Sequence, residues 1–333
     1  MFKKVLALVV VAVAAVSVSG CTAEAALPDK SSIVVYAGRS EALIQPIVDQ
    51  FTSDTGIAVE VRYAGSAELA AQLLEEGQNS PADIFFAQDA GALGAVAKAG
   101  LLTKLPDEIL GLVSPQYSAA DGSWVGVSGR VRVLVYNPDN VANVPSSVFE
   151  LAEPEWQGRI GIAPTNASFQ AFVTAMRVIH GEDKTLEWLR AMKTNGVIYE
   201  KNSAILEAVE NKSVDAGLIN HYYWFAMGRE IGFENLTSRL GQFQARDVGN
   251  LINAAGVGIV SDSNAARSFV EYLLSRTGQQ YFVDETSEYP LISGIEAGVD
   301  LTPLDQIPAP DIDLSDLNSL EETLKLIREA GLI

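Results

Sequence analysis

Apolar and polar positions along this chain change their spacing in blocks, and each block predicts an element. After a basic start at Lys3 and Lys4, Val5 to Val18 is an almost unbroken apolar run closed by Ser19 and Gly20. A basic beginning, a short apolar stretch and small residues before a cut predict a cleavable secretory leader over residues 1–20. Residues 21–31 are mostly small and polar and read as a flexible tether. Regular structure then begins with a buried strand at Ser32–Tyr36. A helix at Glu41–Asp54 follows, with Leu43, Ile44, Ile47, Val48 and Phe51 on one face and Gly56 beyond its end. Ile57–Tyr63 alternates as a strand, Ala67–Glu76 has helical spacing, Asp83–Ala87 reads as a strand and Ala90–Ala99 as a helix. Strands and helices in alternation imply a parallel sheet covered on both faces. Ligands of such sheets sit at the carboxyl ends of the strands, here the loops Ala37–Ser40, Ala64–Ser66 and Gln88–Asp89.

The pattern then changes. Trp124 to Tyr136 (WVGVSGRVRVLVY) is a long β-rich stretch broken only at Ser128-Gly129, long enough to pass from one lobe into another. A second alternating set follows, with a strand at Arg159–Ala163, a polar loop at Pro164–Ala167 and a helix at Ser168–Ile179. Strands at Val197–Tyr199 and Val214–Ile219 then flank a helix at Ile205–Glu210. Leu251 to Val260 is a second long apolar stretch that returns the chain, and helices at Asn264–Ser275 and Leu317–Ala330 complete it. The expected fold is therefore α/β and two-lobed, with a hinge of two crossover strands and a cleft between the lobes. Residues 32–130 with 253–303 form the first lobe, and 131–252 with 304–333 the second.

Composition narrows the function classes. The 333 residues carry 42 Asp and Glu against 23 Lys and Arg, a net charge of -19, and loss of Lys3 and Lys4 with the leader lowers it further. Such a surface repels nucleic acid. After the leader no apolar run approaches the roughly 18 residues of a spanning helix, so the body reads as a soluble domain and is expected to be a monomer. Cys21 is the only cysteine, which excludes an internal disulfide. The small-residue run ending at Cys21 resembles the bacterial lipobox. That resemblance implies acylation of Cys21 and a membrane-anchored lipoprotein, on the cell surface or the periplasmic face. An exported hydrolase is disfavoured, because there is no Gly-x-Ser-x-Gly elbow, no His-Glu-x-x-His helix and no nucleophilic cysteine. With only His180 and His221, no familiar histidine-rich zinc site can be built.

The most unusual local run is Ile219-Asn220-His221-Tyr222-Tyr223-Trp224. Asn220 is a good N-cap at the end of a strand, so the two tyrosines fall in a first helical turn. A helix N-terminus favours phenolate over phenol, and a hard, highly charged cation such as Fe³⁺ prefers anionic oxygen. From spacing alone two readings stay open: a pair of metal ligands, or aromatics packed at an interface.

From Val35 to about Leu291 the chain resembles the ferric-ion-binding proteins of bacterial iron ABC importers. The matching phrases are Val35-Tyr-Ala-Gly, Ser80-Pro-Ala-Asp-Ile-Phe, Ser128-Gly-Arg-Val-Arg-Val, Lys201-Asn-Ser-Ala, Ile219-Asn-His-Tyr-Tyr-Trp and Glu288-Tyr-Pro-Leu. The resemblance implies a class II periplasmic-binding fold, with Tyr222 and Tyr223 as iron ligands and an ABC-transporter permease as partner. Departures from the family pattern imply an incomplete ligand shell. Ser40 stands where some members place a histidine, Gln88 followed by Asp89 where they place a glutamate, and Phe169 where others place a third tyrosine.

A synergistic anion, carbonate or phosphate, is expected to complete that shell. Arg39 in the first strand-to-helix loop and Arg130 at the crossover are its candidate holders, with Ser40, Thr165, Asn166, Asn202 and Asn220 around it. Each has a plainer alternative: Arg39 pairing with Glu41, Arg130 serving a buried carboxylate, Asn220 acting only as a cap. Gln88 and Asp89 are possible additional ligands, although Asp89 is favoured as the cap of the helix after it. His221 is expected to lie behind the ligands or in solvent, and His180 to serve a helix C-terminus. A carrier of an oxyanion or small organic anion, without metal, is the competing function.

Overall fold

The computed structural model describes residues 27, 30–298 and 300–333; the expected leader, Cys21 and most of the tether lie outside the described residues. The first half alternates strand and helix: β1 (Ser32–Ala37), α1 (Glu41–Thr55), β2 (Ala58–Tyr63), α2 (Ser66–Glu76), β3 (Ile84–Ala87), α3 (Ala90–Lys98) and the short α4 (Asp107–Leu110). Then come β4 (Val125–Tyr136), β5 (Ile160–Ile162), α5 (Ala167–His180), α6 (Glu182–Asn195), β6 (Gly196–Ile198), α7 (Asn202–Glu210), β7 (Ala216–Asn220), α8 (His221–Ile231) and β8 (Arg239–Gly241). The chain closes with β9 (Ile252–Ile259), α9 (Asn264–Leu273), α10 (Arg276–Thr286) and α11 (Leu320–Glu329).

The strands run in the order β2-β1-β3-β9-β4-β7-β5-β6, with β8 also on β4. β1 is parallel to β2 and β3, and β5 is parallel to β6 and β7, as the alternating blocks require. β4 joins the two halves. Its residues Val125–Val131 pair antiparallel with β9, and Arg132–Tyr136 pair antiparallel with β7. One strand therefore belongs to both sheets. Its side chains are buried almost throughout, the polar Ser128, Arg130 and Arg132 included. A register shift between Gly126 and Ser128 re-aims the strand just before the crossover. Arg130 and Arg132, two residues apart, point to the same face.

The sequence pattern understates two helices. In α6 the buried side chains are Thr185, Trp188, Leu189, Met192 and Asn195, and in α10 they include Gly278 and Gln279, so neither has a full apolar stripe. The tail crosses between halves once more. A 3₁₀ turn at Leu314–Leu317 lies on α3, where a Cβ at Gly94 would fall 2.8 Å from Asn318 Cα. α11 then packs on α5 and α6, with Thr323 hydrogen-bonded to Thr174 at 2.8 Å and Glu329 paired with Arg190 at 3.0 Å.

Candidate metal centre

Strand ends and helix starts converge where β4 passes between the sheets. β7 ends at Asn220, whose extended backbone starts α8, so Tyr222 and Tyr223 fall in the first turn as expected. Their rings stack with centroids 4.3 Å apart and planes 28° from parallel. Tyr222 is buried and Tyr223 half-buried. Burial pushes the Tyr222 phenol well above its usual pKa and Tyr223 adds to this, while Arg39 and Arg130 pull it down. Asn220 does not cap through its side chain: its amide nitrogen is buried and has no partner.

Three buried arginines surround the pair. A Cβ at Gly38 would lie 2.8 Å from Ser66 Cα, so the turn after β1 passes tight against the start of α2 and sets Arg39 in the interior. The partner of Arg39 is Glu288, at 2.7 Å with neither side chain more than 1% exposed, and not Glu41. Burial opposes the Arg39 charge, but Glu288 and both tyrosines outweigh it, and its pKa rises. Arg39 Nη1 nevertheless has no hydrogen-bond partner. Arg130 is more exceptional. It is 1% exposed, and none of its three guanidinium nitrogens is hydrogen-bonded within the chain. An unpaired buried cation is costly unless a ligand or solvent completes it. Arg132 is structural by comparison. It donates to Ser168 Oγ at 3.2 Å and the Leu218 carbonyl at 3.1 Å, lies over the Phe169 and Phe172 rings, and is pulled down by burial to about 9.

The other expected residues divide. Asp89 caps α3, accepting from Ala92 N at 3.1 Å, yet its Oδ2 is buried and free. Burial raises its pKa and the Arg130 charge lowers it, which puts it beside the same cation. Gln88 Nε2 is also buried without a partner. Asn202 donates to Ser168 and Asn166, leaving Oδ1 free in the interior. Asn166 spends its side-chain oxygen on capping α5 through Ser168, so it scaffolds Asn202. Ser40 and Thr165 are exposed at helix starts, and no side-chain bond ties either to the tyrosines. Phe169 is fully buried against Phe172 and Trp188, in the core under Arg132.

His221 lies behind the tyrosines, the first of its two expected places, and has a structural task there. It is buried, accepts from Val131 N through Nδ1 at 3.1 Å and donates from Nε2 to the Ser287 carbonyl at 2.8 Å. Val131 is the last residue of β4 paired with β9, so the imidazole satisfies an amide at the fork between sheets. Burial holds its pKa down to about 4. Glu288 and Ser128, joined at 2.6 Å, escaped sequence reasoning as site residues because their partners are over a hundred positions away. Their only signal was membership of the Ser128-Gly-Arg and Glu288-Tyr-Pro phrases.

Two phenols, three guanidinium groups and free amide ends suit a hard cation bound together with an oxyanion. Among the described residues no group of three or more His, Cys, Asp or Glu side chains could hold a metal by itself. A family model for bacterial extracellular solute-binding proteins matches residues 33–285. The major ferric iron-binding protein of Neisseria meningitidis (serogroup A) is 38% identical over 92% of this chain and 95% of its own. The Fe(3+)-binding periplasmic protein of Serratia marcescens is 37% identical over 93% of each. The crystal structure of iron-bound HitA from Pseudomonas aeruginosa superposes with a TM-score of 0.86 at 37% identity, covering 90% of this chain and 99% of that one.

Proposed function

For a chain that belongs to the bacterial extracellular solute-binding proteins, we propose that it captures ferric iron outside the cytoplasm, with an oxyanion, and delivers the iron to the permease of an ABC importer. The single observation that carries this reading is the stacked Tyr222–Tyr223 pair beside three buried arginines with unpaired nitrogens, Arg130 with all three of its own. Coordination replaces each phenol proton with iron, and the phenolates then offset part of the metal's charge. The anion supplies further oxygens and is in turn held by Arg39 and Arg130. Carbonate and phosphate both fit this demand. The cargo is bound and released, and no covalent bond in it is made or broken.

Residues 32–130 with 253–303, and 131–252 with 304–333, would move as two lobes about β4 and β9, closing over the cargo. Closure presents the permease with a surface that the empty protein lacks. Acylation at Cys21 would keep the capture domain at the membrane. Among the described residues no helix is long and apolar enough to cross a membrane.

Adding ferric citrate to the metal-free protein tests the reading. A ferric-phenolate band should appear in the visible and be lost in Tyr222→Phe. A protein that stays colourless while binding phosphate tightly would instead be an anion carrier, a reading the unpaired arginine nitrogens also support.

A further inference from the structure

A fully buried carboxylate beside the arginine that awaits an anion needs a reason. Glu288 has no exposed surface; its Oε1 accepts from Arg39 Nη2 at 2.7 Å and its Oε2 from Ser128 Oγ at 2.6 Å. The contact to Arg39 is single-pronged. Nη1 stays buried and unpartnered, and the guanidinium is near enough to act on both Tyr222 and Tyr223. Arginine frequently meets a carboxylate with two nitrogens, and a one-nitrogen contact leaves half the fork for another acceptor.

Glu288 is itself held from behind by the tyrosine helix. α10 ends at Ser287 in the left-handed conformation, φ 56°, which is uncommon for a residue other than glycine. His221 Nε2 donates to the Ser287 carbonyl at 2.8 Å, and Arg229 donates to Ser287 Oγ and, at 2.8 Å, to the Glu285 carbonyl. Glu288 N bonds back to Phe282 O at 3.0 Å. The helix that carries the tyrosines thus grips the strap, and the strap grips Arg39.

We propose that Glu288 is a positioning residue for the anion: it turns Arg39 so that one nitrogen remains for the ligand, and its charge keeps that ligand exchangeable. This rests on the reading of the cleft as an anion-assisted iron site. With the carboxylate in place, an incoming oxyanion meets a cation already half compensated. With a neutral group of the same shape, the oxyanion becomes the nearest counter-charge. A unit charge a few ångströms away, at the effective dielectric of a protein interior, changes affinity by about tenfold or more.

The test uses the whole mature protein, metal-free, titrated calorimetrically with inorganic phosphate, then loaded with iron and followed by its visible band. Glu288→Gln keeps the shape and removes the charge. It should bind phosphate about tenfold more tightly and exchange phosphate for bicarbonate more slowly in the ferric form, seen as a slower shift of the band. Arg39→Lys keeps the charge and loses the fork, and should bind phosphate at least about tenfold more weakly. Unchanged or weaker phosphate binding in Glu288→Gln overturns the proposal. Should that variant fail to fold, full phosphate affinity in Arg39→Lys overturns it as well. A wild-type protein without a ferric band would refute the iron reading instead, and the phosphate titrations would still decide the role of Glu288.

Discussion

The rings of Tyr222 and Tyr223 lie stacked, 4.3 Å between centroids, although successive residues on a helix point about 100° apart. Only the first turn of α8, fed by the extended backbone of Asn220, lets both side chains lean the same way. In the proposed site their phenols would meet a cation together.

The pair should make iron binding strongly pH-dependent. Burial keeps the Tyr222 phenol protonated at neutral pH, so each phenol that coordinates iron must lose a proton. Affinity should fall as pH falls, by up to about a hundredfold per unit if two protons are displaced. Titration with ferric citrate in weak buffer should release about two protons from these side chains, and about one in Tyr223→Phe. Identical release from both proteins would mean that Tyr223 is not a ligand.

Arg130 sets function against stability. With three unpaired nitrogens in the interior, it should destabilise the empty protein. Arg130→Met should raise the melting temperature of the metal-free form, equivalent to about 1–4 kcal/mol, while abolishing stabilisation by phosphate. A lower melting temperature would mean that Arg130 is already well compensated without ligand.

His221 gives the empty protein an acid-sensitive hinge. Its folded pKa of about 4 lies below the ordinary 6.5, so the unfolded chain binds the proton first. Its contribution is complete above about pH 6.5 and is lost as pH falls toward 4, by roughly 3 kcal/mol in all. Urea midpoints compared between wild type and His221→Gln should converge across that window. Parallel curves would show that the imidazole is not buried neutral at the fork.

Phe169 is expected not to be convertible into a ligand. It is fully buried among Phe172 and Trp188, beneath Arg132. Phe169→Tyr should cost about 1–3 kcal/mol for a buried hydroxyl without a partner and leave the ferric band unchanged. A shifted band would show that the ring reaches the cleft.

Local order was legible in the chain because it depends on neighbours in sequence. The alternation of β1 to α3, the long crossing strand β4, the cap at Asp89 and the start of α8 were all readable from spacing and residue type. The pairings that build the site were not. Arg39 finds Glu288 249 positions away, and Glu288 finds Ser128 across 160. Nothing near Arg39 announces that partner, while Glu41, two residues on, offered a false one. The task of His221 was not readable for the same reason: the amide it serves exists only because β4 leaves one sheet for another. Asn166 has the sequence of an anion loop, yet its oxygen is consumed by its own helix.

The last helix adds a constraint in time. α11 completes the layer over α5 and α6, yet it follows the residues of α9 and α10, which cover the other half. The chain is made from its N-terminus, so the second lobe stays unfinished until its final turns have emerged. A protein missing only its last dozen residues should therefore lose the half that carries the tyrosines, while the half that begins with β1 keeps its own fold.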